Sequence, residues 1–220
     1  MNDRDPEFAL EAVAIIELLL RPPEDGPLCC VDEKPGIGVR RPTAPDQPPR
    51  PGRPARREFE YVRHGTVDLL AGFRVNAGQV CGLVRLQHRS REFCERLALL
   101  DAQTPVGQSI HLIPAPVSSH GSAQVAAWLA AHAHRTFVFH FLPVHASWLS
   151  FIEVWFSLLS RKCLRRASFA DATIASQEIE AFMTTYNTHL AHPFQWKKGV
   201  RFYQRLKDKL AAPSELQLAA

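Results

Sequence analysis

The apolar and polar positions of the first sixty residues predict a helix, a strand and a long extended connection. Residues 8–20 are apolar on nearly every face, which predicts a helix that ends at Arg21 and the two prolines after it. Residues 28–33 form a short apolar run that ends in two acids, a pattern typical of a buried strand. The segment 35–57 holds seven of the 17 prolines, so we expect an extended connection there rather than a helix or central strand.

The later pattern predicts a hairpin followed by alternating helices and strands. Strands are expected at 59–76 and 79–86, and Asn76-Ala77-Gly78 marks the turn between them. Further helices are predicted at 90–100, 122–132, 148–166 and 171–189, and further strands at 110–113 and 136–141. Three early strands followed by such an alternation predict an α/β fold with a mixed sheet and helices on both faces.

The composition favours a folded protein without a membrane span. The chain has 220 residues, of which 46% are hydrophobic and 22% are charged, which excludes disorder throughout. Its longest apolar run is shorter than the ~18 residues that a membrane helix needs. The acidic N-terminus is unlike a secretory signal, so we expect a cytoplasmic protein. The five cysteines form no CxxC pair, which favours reduced, mostly buried thiols over a structural zinc site.

Basic residues cluster in three segments although the net charge is only +4. Between Lys34 and Arg57 the chain has seven basic residues and one acid. The other two clusters are 161–166 and 197–209, the latter within a basic, aromatic tail. Each segment is a candidate for contacts with nucleic-acid phosphates, and the alternative for each is an ordinary solvated surface.

Two acids stand out by their surroundings. Asp32 ends the first predicted strand, where a carboxylate borders the ligand crevice of such sheets and suits Mg²⁺. Glu153 lies in an apolar helix on a polar stripe with Ser150, Ser157 and Arg161. A carboxylate beside a basic row suits a metal site next to phosphates. The alternatives are an exposed acid at a strand end and an amphipathic helix with a solvated basic end.

Several segments resemble one family of mobile-element enzymes. The segment His145-Ala-Ser-Trp-Leu-Ser-Phe-Ile-Glu153-Val-Trp-Phe is similar to the third-carboxylate motif of bacterial DDE transposases of the insertion sequence 630 type, a branch of the Tc/mariner superfamily. Cys30-Val-Asp32-Glu33-Lys34-Pro35 resembles the first-carboxylate motif of that family. Segments beginning at Pro51, Tyr61, His88, Leu164 and Pro193 resemble further family segments in the same order. The resemblance implies a ribonuclease-H-like fold, a mixed five-stranded sheet flanked by helices.

The resemblance also implies a mechanism and partners. In this family two Mg²⁺ or Mn²⁺ ions held by three carboxylates activate water to cut a transposon end, and the freed 3′-OH attacks target DNA. Asp32 and Glu153 match the first and third carboxylates, so they are the expected catalytic residues and metal ligands. The expected partners are transposon-end and target DNA, with a homodimer or a mixed oligomer with a full-length transposase, and no membrane.

The middle carboxylate of the family is missing. Counting back from His120 places Ala115 and Pro116 where the family has Asp and Asn. Ala115 lies 38 residues before Glu153, close to the interval between the second and third acids of the family, and residues 102–152 contain no Asp or Glu. Because alanine cannot ligate a metal, we expect a dead or crippled transposase whose second ion is weakly held. Ser150, where the family more often has Asn, is a smaller departure.

The family also predicts how the chain is organised. We expect an N-terminal helix or linker remnant at 1–26, a ribonuclease-H-like DDE domain at 27–192 and a basic tail at 193–220, without the family's N-terminal DNA-reading module. In a bacterial cell this protein would join the nucleoid when bound to DNA. Two rival hypotheses are a non-catalytic DNA-binding or interaction remnant and a nuclease that uses a single remaining ion. The expected DNA-binding residues are Lys34, Arg53, Arg56, Arg57, Arg161, Lys162, Arg165 and Arg166.

Overall fold

The computed structural model describes residues 6–115, 122–195 and 199–211. Its helices are α1 (Pro6–Leu20), α2 (Ser90–Ala102), α3 (Ala123–Ala131), α4 (Phe151–Leu159), α5 (Ala172–His189) and α6 (Gly199–Ala211). Its strands are β1 (Leu28–Pro42), β2 (Tyr61–Arg74), β3 (Gln79–Arg85), β4 (Ile110–Pro114) and β5 (Phe137–Phe139). The predicted order of helices and strands is therefore confirmed from α1 to α5, and α6 was not predicted.

The five strands form one mixed sheet with β1 at its centre. The strand order is β3-β2-β1-β4-β5. The first three strands pair antiparallel, whereas β4 is parallel to both β1 and β5. This arrangement confirms the predicted mixed five-stranded sheet. It also places the carboxyl end of β4 beside Val31 of β1, where the pairing of these two strands stops.

The prediction of an extended connection from residue 35 was wrong for its first part, because β1 continues through residues 35–42. The register with β2 shifts between Lys34 and Ile37, so Pro35 lies in a bulge where its missing N–H costs no ladder hydrogen bond. Beyond the bulge the buried Ile37 and Val39 alternate with exposed residues, as in any half-buried strand.

The extension of β1 pairs with the first half of β2 and leaves the main sheet as a two-stranded ribbon. β4 pairs with β1 only from Leu28 to Val31, and β3 joins β2 only from Asp68 onward. We call this ribbon, residues 35–42 and 61–67, the arm. Residues 47–57, at its far end, are called the arm tip. Backbone hydrogen bonds between Gln47 and Arg56 and between Arg50 and Arg53 close the tip.

Helices cover both faces of the sheet, as predicted. On one face α4 and α5 pack with α1 and α6 around a core that includes the fully buried Trp155. On the other face α2 and α3 cover a smaller core with Cys29 and Val31. The strand alternation of β1 thus sends Cys30 toward α4 and its two neighbours toward α2.

Two helical segments differ from their predictions. The single helix expected at 148–166 consists of a 3₁₀ turn (Ser147–Leu149), α4 and a π-helical turn (Ser160–Leu164). No helix is predicted in the basic, aromatic tail, but it contains α6. Leu206 of α6 is buried, and the Tyr203 hydroxyl donates a 2.6 Å hydrogen bond to Glu17 of α1.

The cysteines and the helix lengths agree with the composition. Four of the five cysteines are buried and all five are free thiols, as predicted. Within the described ranges, none of the helices combines the length and the apolar character required to cross a bilayer.

Candidate active site and basic cleft

The candidate active site begins where β1 stops pairing with β4, at the carboxyl end of β4. Val31 is the register partner of Pro114, so Asp32 and Ala115 each follow one residue beyond a paired position. Neighbouring strands lie about 4.8 Å apart. The buried Cys30 and Ile113, two residues earlier in each strand, both join the core beneath α4. The register therefore places Asp32 and Ala115 next to each other on the face that α4 covers.

The first turn of α4 brings Glu153 to this face. The Cys30 thiol lies against the backbone amides of Phe151 and Ile152, and burial raises its pKa to about 11 despite these contacts. The N-terminus of α4 therefore packs against β1 at Cys30, two residues before Asp32. Glu153 is half-buried in the first turn of this helix, where the helix dipole favours a carboxylate.

The charge of Glu153 acts on Asp32. The pKa of Asp32 is raised to about 6, mainly because the carboxyl group is removed from water, with further contributions from the negative charges of Glu33 and Glu153. The Glu33 amide opposes this shift by donating a 2.8 Å hydrogen bond to Asp32 Oδ1. Like-charged groups at such a site favour protonation unless a cation is bound between them. The structure thus joins Asp32 and Glu153 in one electrostatic site.

A buried arginine that sequence analysis missed anchors the end of β1 from the opposite face. Arg96 of α2 is fully buried, and its Nη1 lies 3.0 Å from both the Asp32 carbonyl oxygen and Glu33 Oε1. Its guanidinium also stacks on the Phe93 ring at 4.6 Å. Glu33 is therefore paired on the α2 side of the sheet. The only sequence signal was a basic residue next to the apolar positions 93, 97 and 100 of the predicted helix.

Ala115 occupies the third position of the site, next to Asp32. Ala115 is partly buried beside Asp32, and its methyl group offers no metal ligand. Across the ranges 6–115, 122–195 and 199–211, no group of three or more His, Cys, Asp and Glu side chains lies close enough to hold a metal ion. Among the described residues, the carboxylates on this face are Asp32 and Glu153, a donor set that suits one divalent ion rather than the pair expected for the family. Pro116 and His120 lie outside the described residues.

A basic cleft of about 590 Å³ begins two residues beyond Asp32, between the arm and the end of α4. Its lining includes five basic side chains and no acid, namely Lys34, Arg40, Arg63, Arg161 and Arg165. Ile37 and Val39 form part of its apolar lining. A Cβ added at Gly36 or Gly38 would meet no atom within 4 Å, so the backbone of the arm is open to a ligand there.

The predicted DNA-binding residues fall into three places. Lys34, Arg161 and Arg165 line the basic cleft, together with Arg40 and Arg63, which sequence analysis missed. Arg57 and Arg166 line a neighbouring cavity of about 320 Å³ that also has acidic side chains. Arg53 and Arg56 lie exposed on the arm tip, and Lys162 is exposed on the π-helical turn. The predicted residues therefore form a basic surface that extends from the carboxylate pair along the arm.

Comparisons with solved structures agree with the fold. The Mos1 strand transfer complex is 15% identical with a TM-score of 0.57, and the alignment covers 94% of this chain and 62% of that chain. The catalytic domain of the Mos1 mariner transposase is 12% identical with a TM-score of 0.56, covering 96% of this chain and 94% of that one. At such identities the likeness establishes the ribonuclease-H-like fold, as predicted.

Sequence comparison identifies the family. No curated protein sequence matches the chain significantly. The family described as "DDE superfamily endonuclease" matches residues 27–175, which include Asp32, Ala115 and Glu153. This match spans well over half of the chain, and it covers the sheet and the carboxylate pair described above. The chain therefore belongs to the DDE superfamily endonucleases.

Proposed function

We propose that this chain is a transposase domain of the insertion sequence 630 type that binds DNA but has lost efficient strand cleavage and strand transfer. One observation carries the proposal: Ala115 directly follows β4, at the position beside Asp32 on the face that α4 covers. The residues around this position keep their roles, because Asp32 and Glu153 still share one site.

The missing carboxylate has a large effect because charges must balance. Two carboxylates carry two negative charges, whereas a pair of divalent ions carries four positive charges. Without a third acid, one ion loses both a ligand and its charge compensation. Loss of a group that acts directly in catalysis commonly costs several powers of ten in rate, on the order of 4–8 kcal/mol of barrier. We infer that Mg²⁺ or Mn²⁺ binds weakly between Asp32 and Glu153.

The substitution Ala115→Asp tests this proposal. The variant restores a third carboxylate next to Asp32, and Ala115→Asn is its matched control with the same size and no charge. We expect Ala115→Asp to bind Mn²⁺ at least about tenfold more tightly than the native chain, as followed by calorimetry. We also expect Ala115→Asn to bind no better than the native chain. Equal Mn²⁺ affinity of all three proteins would refute the role assigned to this position.

DNA binding is the activity that the basic cleft supports. Five basic side chains without an acid favour the phosphate backbone, and their position beside Asp32 would lead a strand across the carboxylate pair. This cleft also supports the second candidate function, a non-catalytic DNA-binding remnant that occupies DNA or joins an active relative in a mixed oligomer. The two candidates differ in whether any metal-dependent cleavage survives.

The variant Arg40→Ala/Arg63→Ala tests the cleft itself. We expect weaker binding of duplex DNA and a salt slope of log K against log [salt] that is smaller by about 0.9 for each phosphate that the variant no longer neutralises. Arg21→Ala/Arg91→Ala is the matched control, because it removes the same charge from exposed residues outside the cleft and the arm. An equal decrease of affinity in both double variants would show that the cleft contributes only its net charge.

A further inference from the structure

The arm tip is a small, rigid hairpin with two arginines at its end. The backbone N–H of Arg50 donates to the carbonyl of Arg53 at 3.0 Å, and the reverse bond is 2.8 Å. Pro51 and Gly52 form the turn between them, and Gly52 has φ of 76°, which favours glycine. Prolines at 48, 49 and 54 stiffen the flanking chain. The backbone positions of the two arginines are therefore fixed before any partner binds, whereas their side chains are not.

The charge arrangement of the tip is unfavourable in the free protein. Arg50 and Arg53 are a directly opposed, hydrogen-bonded pair, for which the Cα atoms lie about 5.5 Å apart. Like charges in such a pair destabilise a hairpin. Residues 47–57 contain no acid, and within the described chain the two guanidinium groups make no ion pair. A bound anion would offset the repulsion between these two arginines.

The nearby acids are engaged at the base of the tip. Asp46 accepts a 3.0 Å hydrogen bond from the Glu58 amide, and Glu58 accepts a 2.9 Å hydrogen bond from the Glu60 amide. These contacts hold both carboxylates on the backbone below the hairpin. Residues 47–57 themselves are thus basic or uncharged, and they are exposed, with Asp46 beside them at the base of the tip.

We propose that the arm tip inserts Arg50 and Arg53 into the minor groove of duplex DNA and prefers A/T-rich sequence. The proposal rests on the DNA-binding function proposed above and adds a groove and a base preference to it. A/T tracts narrow the minor groove and strengthen its negative potential, which attracts arginine. A two-residue turn with opposed arginines concentrates positive charge at a single point, which suits this narrow groove.

The guanidinium groups of the tip are better suited to recognise the shape of the DNA groove than the identity of individual bases. Bidentate contact with guanine in the major groove needs an arginine held in a fixed orientation. Among the described residues, no hydrogen bond or ion pair to a side chain orients the guanidinium groups of Arg50 and Arg53. The negative potential of a narrow minor groove attracts an arginine even when its side chain has no fixed orientation. The specificity of the tip is therefore a preference for narrow grooves.

The test measures the affinity of the full chain for two duplexes of equal length, one rich in A-tracts and one rich in G/C, by fluorescence anisotropy. We expect the native chain to bind the A-tract duplex about fivefold more tightly or better. Arg50→Ala/Arg53→Ala should bring this ratio close to one and lower the salt slope by about 1.8. Arg50→Lys/Arg53→Lys should keep the slope and reduce the preference, because an ammonium group holds its water more strongly than guanidinium.

The outcomes separate this proposal from the DNA-binding function. Arg21→Ala/Arg91→Ala, the charge-matched control, should retain the preference of the native chain. No binding to either duplex would overturn the DNA-binding function and the tip proposal together. Binding without an A-tract preference, or a preference that survives Arg50→Ala/Arg53→Ala, would overturn the tip proposal alone. A G/C preference that disappears in that variant would assign the tip to the major groove and equally overturn it.

Discussion

Neutralising Asp32 should stabilise the metal-free protein, and this effect should depend on pH. Burial and two neighbouring carboxylates raise the pKa of Asp32 to about 6 from its ordinary 3.8. The folded state therefore binds this proton more tightly than the unfolded state does. As pH rises through this range the folded state loses stability, because it must ionise a carboxyl group that it holds partly out of water. Asp32→Asn removes that cost and keeps a side-chain oxygen that can accept the hydrogen bond from the Glu33 amide.

The size of the effect follows from the two pKa values. A tenfold change in proton affinity corresponds to about 1.4 kcal/mol. The rise of the Asp32 pKa from 3.8 to about 6 therefore amounts to about 3 kcal/mol when Asp32 is fully ionised. Because the side chain keeps some contact with water, we expect Asp32→Asn to raise the free energy of unfolding by about 2–3 kcal/mol above about pH 7. Below about pH 4 the carboxyl group is protonated in both states, and the gain should vanish.

Urea unfolding followed by tryptophan fluorescence across this pH range measures the gain. Glu180→Gln, which neutralises an exposed acid on α5, is the matched control and should change stability little at any pH. Added Mn²⁺ should stabilise the native chain and leave Asp32→Asn nearly unchanged, since the variant lacks one of two ligands. If Asp32→Asn gains no stability above about pH 7, or gains the same amount at every pH, the burial and charge coupling assigned to Asp32 are refuted.

Three further substitutions test the packing that positions the site. Arg96→Ala should cost about 3–5 kcal/mol of unfolding free energy, because it removes a fully buried guanidinium that pairs with Glu33 and donates to the Asp32 carbonyl; a cost below about 1 kcal/mol in urea titrations would contradict the anchoring role. Gly78→Ala should destabilise by about 1–3 kcal/mol, since its Cβ would meet the His192 backbone at about 2 Å and φ is 67°. Leu206→Ala should cost about 2–5 kcal/mol if α6 belongs to the core, and a thermal melt unchanged from that of the native chain would place α6 outside it.

The sequence pattern correctly predicted those elements that short stretches of chain determine, such as turns, helices and individual strands. The hairpin between β2 and β3 follows from Asn76-Ala77-Gly78 and the strands beside it. Asp32 and Glu153 were predicted as partners from motif resemblance, and the sheet register and α4 bring them into one site. Their roles as metal ligands stay predictions, as does the role of Ala115.

The cleft and the arm depend on tertiary structure that local pattern does not report. Proline content predicted that β1 would end near residue 34, but a bulge at Pro35 lets the strand continue, and the alternation Ile37-Gly-Val-Arg40 was the overlooked signal. Arg63 reaches the cleft only because the arm folds back against the end of α4. Arg96 is a buried charge, which average burial preferences place at the surface.

The central claim is that a chain with Ala115 beside Asp32 and Glu153 does not cut DNA efficiently. The most direct measurement is Mg²⁺-dependent cleavage of supercoiled plasmid DNA by the full native chain, compared with Glu153→Gln under the same conditions. The account predicts that the native chain cleaves no faster than Glu153→Gln. Metal-dependent cleavage by the native chain that Glu153→Gln abolishes would contradict it.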